Sequence, residues 1–202
     1  MVLGSGLLLD VPLVELAARF RRLYLVDMVH LPRVRRLAAA FPGVSLLELD
    51  VTGTATGLCA LGRRQRPVER GELEALFSCP VALPGLESAD WVASVNLFSQ
   101  LPLLPLEAAS RLCPAAGETD LLRWQQQILV RHLDWLRQRP ACLLADAVQT
   151  LRRANGEREV MDYSPWLEVL GPPGAAWSWL LVDEAESGDG SRVEHEVRAW
   201  CW

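Results

Sequence analysis

The chain has 202 residues, 50% of them hydrophobic and 22% charged, with a net charge of −5. That balance excludes a disordered segment, and the length supports one substantial core, so a single domain over 1–202 is expected. The acidic surplus argues against a general nucleic-acid binder, whose surface would be basic.

All 20 cationic residues are Arg. They are scattered apart from short groups at 21–22, 33–36, 63–66 and 152–153, which fits the codon bias of a GC-rich bacterial genome better than a binding surface. The five cysteines, Cys59, Cys79, Cys113, Cys142 and Cys201, contain no Cys-x-x-Cys pair. They are expected to be reduced thiols of a cytoplasmic protein with no metal site. The apolar start lacks a basic lead and is interrupted by Asp10, so no signal peptide is expected. No run reaches the ~18 apolar residues of a membrane span.

From the start of the chain, an apolar lead-in, the glycines Gly4 and Gly6 around Ser5, a periodic segment over 11–20 and a second apolar run ending at Asp27 read as strand, loop, helix, strand. Pro12 suits the first turn of the helix, and Leu13, Leu16, Ala17 and Phe20 supply its apolar stripe. The pattern repeats with a strand over 23–26 and a helix opening at Pro32, with Val34, Leu37 and Ala38 on its buried side. Residues 44–49 form a third strand, apolar enough to be covered on both faces. Strands alternating with helices imply right-handed crossovers and a parallel sheet.

Residues 51–89 form a variable region with a basic loop at 63–66 and a short helix over 68–77. A fourth strand spans 91–97 and must end before Pro102 and Pro105. Helical spacing over 120–138 includes Leu121, Trp124, Ile128, Leu129, His132, Leu133 and Leu136, and Pro140 stops it. A fifth strand covers 141–148, Asn155-Gly156 suggests a hairpin, and 163–170 suggests a short helix. Strands over 176–182 and 193–202 close the chain, joined by a loop at 184–191. In the last strand Val193, His195, Val197, Ala199 and Cys201 form the buried side. The expectation is therefore α/β: a doubly wound, mostly parallel, seven-stranded sheet with a C-terminal antiparallel hairpin and helices on both faces.

Over most of its length the sequence resembles the class I methyltransferases that use S-adenosylmethionine. Gly4, Ser5 and Gly6 resemble the family's glycine-rich first motif, and Asp27 after Tyr24-Leu25-Val26 resembles its ribose-binding acid. Asp50 after 46–49 resembles the adenine-side acid, 90–96 ending in Asn96 resembles the fourth-strand motif, and the chain end resembles the family's antiparallel finish. The resemblance implies S-adenosyl-L-methionine as cofactor, held by those residues. Val51 or Leu49 could line an adenine pocket beside Met28, whose flexible thioether suits a flat ring. The sequence departs from the family at Leu8, where a third glycine stands, and in having almost nothing before the first strand, where the family has a helix that closes over the cofactor.

Each residue also has a structural reading. Gly4 and Gly6 suit any sharp turn, Asp27 could cap the helix near Pro32, Asp50 could be a turn acid, and Asn96 could satisfy a strand end. Methyl transfer from a sulfonium is an in-line displacement with a neutral leaving group, so alignment and desolvation carry most of it. A base is needed only when the acceptor loses a proton. Asp10 and His30, after the first two strands, are the candidates, while His132 and His195 read as structural.

No Asn-Pro-Pro-Tyr motif follows the fourth strand, which directs the expectation to a small-molecule or protein methyl acceptor. Leu9, in place of the third glycine of a dinucleotide loop, and Asp10, which would repel phosphate, disfavour a nicotinamide enzyme. The alternative is a methyltransferase-like domain without activity that serves as a binding or assembly module. The eight Trp and the first strand, read as unprotected, make a homodimer part of the expectation.

Overall fold

The computed structural model describes residues 1–64, 66–80, 83, 89–183 and 187–202. Eight strands form one sheet: β1 (Val2–Leu3), β2 (Leu23–Asp27), β3 (Val44–Glu48), β4 (Val92–Val95), β5 (Ala141–Arg152), β6 (Arg158–Asp162), β7 (Ala175–Val182) and β8 (Arg192–Cys201). Their order is β3-β2-β1-β4-β5-β8-β7, with β6 paired to the outer half of β5. The first five strands are parallel, and β8 runs antiparallel between β5 and β7. The order 3-2-1-4-5 is doubly wound, and it reverses between β1 and β4, where such sheets open a crevice at the strands' carboxyl ends.

Alternating side chains divide the core in two. Val2, Leu25 and Ala93 point to one face, where Leu13 of α1 (Leu13–Arg19) and Ala38 of α2 (Pro32–Ala38) cover them. Leu3, Val26 and Val92 point to the other, against α3 (Ala55–Gly62), α4 (Arg70–Ser78), α5 (Leu103–Leu112) and α6 (Glu118–Arg137). The strand period of two produces this division from nearly continuous apolar runs. The anchor of the larger core is Trp124 on α6, tilted against Phe77 of α4 with ring centroids 5.4 Å apart. Its indole nitrogen, which burial would otherwise leave unpaired, donates to Glu74 at 2.8 Å.

The α/β class, the mostly parallel seven-strand path and the C-terminal antiparallel hairpin are as expected, and the expected Asn155-Gly156 hairpin, with Gly156 at φ 87°, adds β6 beside that path. Several expectations are corrected. The third strand is an edge and only half-buried, not covered on both faces. The first strand is hydrogen-bonded on both sides and buried, so it is not unprotected. Leu37 is exposed while Val34 and Ala38 are buried.

Two helices, α3 and α5, stand where no helix was expected. Pro102 precedes α5 and Pro105 lies in its first turn, where a missing N–H removes no intrahelical bond. The short helix expected over 163–170 is α7 (Ser164–Leu167) followed by a 3-10 turn that Gly171 ends at φ 73°. On β8, Val197 is buried as expected, but Cys201 is exposed and Trp200, on the opposite side, is buried. Of the loop at 184–191, residues 184–186 lie outside the described residues, as does residue 65 of the basic loop.

The expectation of five reduced thiols is also corrected. Cys142 and Cys201 are opposite each other in the β5–β8 register and are joined by a disulfide, while Cys59, Cys79 and Cys113 are free. Their Cα atoms lie 4.1 Å apart, in a non-hydrogen-bonded position beside the mutual backbone bonds of Ala141 and Trp202. A separation of 59 residues carries no pairing signal in sequence; the antiparallel register creates it. Among the described residues no helix is long and apolar enough to cross a membrane.

Candidate functional site

The crevice at the reversal point is built by the loops after β1, β2, β3 and β4. The backbone of the first loop turns through three left-handed residues, Gly4 (φ 75°), Gly6 (φ 48°) and Leu8 (φ 62°). Gly4 is confined: a Cβ there would stand 2.7 Å from the Val95 carbonyl oxygen and 3.0 Å from Leu97 Cβ. Gly6 is open, with no atom within 4 Å of its Cβ position. The glycines therefore act differently, one by letting β1 approach β4 and the other by leaving free space over the loop. Leu8 takes the same left-handed conformation despite its side chain.

Asp27 leaves β2 pointing at this loop. One carboxylate oxygen accepts the Gly6 amide at 2.8 Å and the other accepts the Met28 amide at 2.8 Å. Each oxygen retains a further lone pair for a ligand. Asp50, after β3, has a fuller set of partners: the Thr52 amide at 2.9 Å, the Thr52 hydroxyl at 2.6 Å and the Ala55 amide at 2.7 Å. It closes the turn and satisfies a free amide at the start of α3, which is the turn-acid role. Arg131 of α6 holds the same turn by donating to the Thr52 carbonyl at 3.2 Å and the Phe77 carbonyl at 2.8 Å. Burial lowers the pKa of its guanidinium.

Two cavities open here. The first, about 390 Å³, is mainly apolar and is walled by Val26, Met28, Leu49, Val51, Leu58 and Leu97, with α5 contributing Leu104, Pro105 and Ala108. Asp50 and Thr54 stand at its side. The second, about 230 Å³, is more polar and is lined by Ser5, Gly6, Asp10 and Asn96. Gly4, Asp27, Leu97 and Gln100 line both. Among the described residues the charged groups lining the two cavities are Asp10, Asp27 and Asp50, all carboxylates.

The second cavity has unmatched polar atoms. Asn96 donates from Nδ2 to Asp10 Oδ2 at 3.2 Å, but its Oδ1 is buried without a partner. Ser5 is buried and its Oγ has no partner either. Buried polar groups normally find hydrogen bonds, so two orphans on residues that line one cavity are candidate partners for a polar ligand. Asn96 has φ 47°, a conformation that asparagine tolerates better than most residues.

Of the sequence candidates, Gly4, Ser5, Gly6, Asp10, Asp27, Met28, Asp50, Val51 and Asn96 all line one cavity or the other. His30 lines neither. Its ring is buried, with Nε2 3.2 Å from the Leu47 carbonyl oxygen, so it faces β3 rather than the crevice. The residues of α3 and α5 in the first cavity had no sequence signal, because those helices were not foreseen.

Gln100 is placed by a second network. The 3-10 turn Phe98–Gln100 is anchored through Ser99, whose hydroxyl donates to Asp146 Oδ2 at 3.3 Å and accepts from Gln149 at 3.1 Å. His195 Nδ1 lies 3.2 Å from the other oxygen of buried Asp146. Gln100 then donates to the Asn96 carbonyl at 2.8 Å. His132 is deeper in the core, 2.9 Å from the Ser94 hydroxyl, and burial lowers its pKa to about 4, so it is neutral. Among the described residues no cluster of His, Cys, Asp and Glu could hold a metal ion. The chain matches no protein-family model and no curated protein.

Proposed function

We propose that the protein binds S-adenosyl-L-methionine across the two cavities and transfers its methyl group to a small molecule or a protein side chain. The observation that carries this reading is the meeting, at Gly4 and Asp27, of an apolar cavity with a polar one whose charged groups are carboxylates alone. A flat heterocycle suits the first, and a cationic amino-acid tail suits the second. A pyrophosphate would face Asp10 and Asp27 with no cation to offset them, which disfavours a dinucleotide.

In this reading Asp27 takes ribose hydroxyls on its remaining lone pairs, and Met28, Val51 and Leu97 enclose the base. Asn96 and Ser5, on the wall of the second cavity, stand beside the ammonium and carboxylate of the tail. The bound cofactor supplies an electrophilic methyl group on a sulfonium. The apolar walls exclude water from it, and the fixed loop aligns it. Asp10, held by Asn96 on the wall of the second cavity, is the group proposed to take a proton where the acceptor must lose one. His30 is not assigned that role.

The test is retention of methyl-tritiated S-adenosylmethionine by the purified protein. Competition by S-adenosylhomocysteine, with none by NAD, is the expected result. Absence of retention by folded, ligand-free protein would defeat the proposal.

The same reading sets the protein in the cytoplasm, where its three free thiols would persist. The Cys142–Cys201 disulfide favours a second reading, an oxidising compartment. Alkylation of thiols in fresh cell extracts, before and after reduction, distinguishes the two locations.

A further inference from the structure

The openings of the two cavities are apolar. Leu7 and Leu9 line the second cavity and Met28 and Leu104 the first, and all four are exposed: Leu9 at 73%, Leu104 at 59%, Met28 at 48% and Leu7 at 43%. They come from three separate segments, the loops after β1 and β2 and the first turn of α5. A single exposed leucine is ordinary, but four apolar side chains at the openings of adjoining cavities form a surface suited to an apolar ligand.

Inside this rim the charge is of one sign. Asp27 already holds two backbone amides, and Asp50 accepts three hydrogen bonds within its own turn. Asp10 is the acid left open. It is exposed, follows Leu9 in the chain, and among the described residues only its Oδ2 is engaged, by Asn96 at 3.2 Å. No Arg or His among the described residues lines either cavity. An anionic group entering here meets a carboxylate with nothing to offset it, whereas a cationic group finds a partner.

We infer that the methyl acceptor is a small amphiphilic amine, with its nitrogen at Asp10 and its apolar body across Leu7, Leu9 and Leu104. The inference rests on the proposed S-adenosylmethionine reading, in which Asp27 is taken by the ribose and Asp10 stays free. Bound as the ammonium, the amine passes one proton to Asp10 and on to solvent. Its nitrogen lone pair then forms the bond to the methyl carbon as the S–C bond breaks, and the electron pair of that bond stays on sulfur. The products are an N-methylated ammonium and S-adenosylhomocysteine. The same charge pattern disfavours carboxylated and phosphorylated acceptors.

Calorimetric titration at neutral pH with octylamine, octanoate and ethylamine, each with and without saturating S-adenosylhomocysteine, tests this. Octylamine is expected to bind about tenfold or more tighter than octanoate, which shares its apolar body, and than ethylamine, which shares its charge. Two substitutions separate the contributions. Leu9→Ser should weaken octylamine and octanoate alike, by about threefold, whereas Asp10→Asn should remove the preference between them. Both positions are exposed, so circular dichroism should show native folds. Octylamine no tighter than octanoate, or a preference that survives Asp10→Asn, would overturn the inference, and the binding of S-adenosylhomocysteine would show separately that the cofactor reading stands. Selective octylamine binding by protein that does not bind S-adenosylhomocysteine would refute the cofactor reading and the acceptor role with it.

Discussion

The Gly6 amide donates to the carboxylate of Asp27 across 2.8 Å, so the acid that ends β2 fixes the loop that follows β1. The other Asp27 oxygen is held by the amide of Met28. Both atoms are therefore oriented without a ligand, which lowers the ordering cost of binding one.

The two glycines of that loop should respond differently to the same change. Gly4→Ala forces a Cβ to within 2.7 Å of the Val95 carbonyl at φ 75°, and the fold is expected to lose about 3 kcal/mol or more. Gly6→Ala meets no atom within 4 Å, so its cost is about 1 kcal/mol, from the left-handed backbone alone. Urea unfolding measures both. If Gly6 faces the cofactor, Gly6→Ala should still weaken its binding tenfold or more, by ~1.4 kcal/mol.

Asn96 combines a backbone requirement with a side-chain one, and two substitutions separate them. Asn96→Gly keeps φ 47° available while removing the orphan Oδ1 and the bond to Asp10. Stability should change by less than about 1 kcal/mol, with cofactor affinity falling about tenfold. Asn96→Val should cost about 2 kcal/mol in stability through the left-handed conformation. Melting and binding curves of the two variants distinguish the contributions.

His132 predicts acid sensitivity. Its pKa is lowered from 6.5 to about 4 by burial, so between those values the unfolded chain binds a proton that the folded chain refuses. Stability therefore rises with pH across that window and falls as pH drops from 6.5 toward 4, by up to about 1.4 kcal/mol per pH unit. Below about 4 both states are protonated and this contribution levels off. Relative to wild type, His132→Gln should show a flatter dependence of the urea midpoint on pH in that window.

Reduction of Cys142–Cys201 releases the C-terminal strand β8 from β5 across a separation of 59 residues. The expected loss is roughly 2–4 kcal/mol, most of it from the regained freedom of the unfolded chain. Denaturation with and without reductant measures it, and the double variant Cys142→Ala with Cys201→Ala should be insensitive to the reductant.

The elements legible in sequence were those with strong periodicity. The strands ending near Asp27, Glu48 and Val95 and the long helix carrying Trp124 follow from apolar spacing. What was not legible depends on tertiary context. α5 was hidden because Pro102 and Pro105 read as breakers, although a helix accepts proline in its first turn. β3 reads as a covered strand, yet its place at the sheet edge is set by topology.

The candidate site divides in the same way. Gly4, Gly6 and Asp27 were visible as a pattern along the chain. The contact between Asp10 and Asn96 joins residues 86 apart and exists only in the fold. Nothing local distinguishes His30, buried beside β3, from a histidine in the crevice.

The central claim is tested most directly by calorimetric titration of the protein with S-adenosylmethionine and its demethylated product, repeated with Asp27→Ala. The account predicts saturable binding of both, lost or weakened at least about a hundredfold in a variant whose circular dichroism shows it folded. Binding of neither ligand by folded, ligand-free wild-type protein, or equal binding by Asp27→Ala, would contradict it.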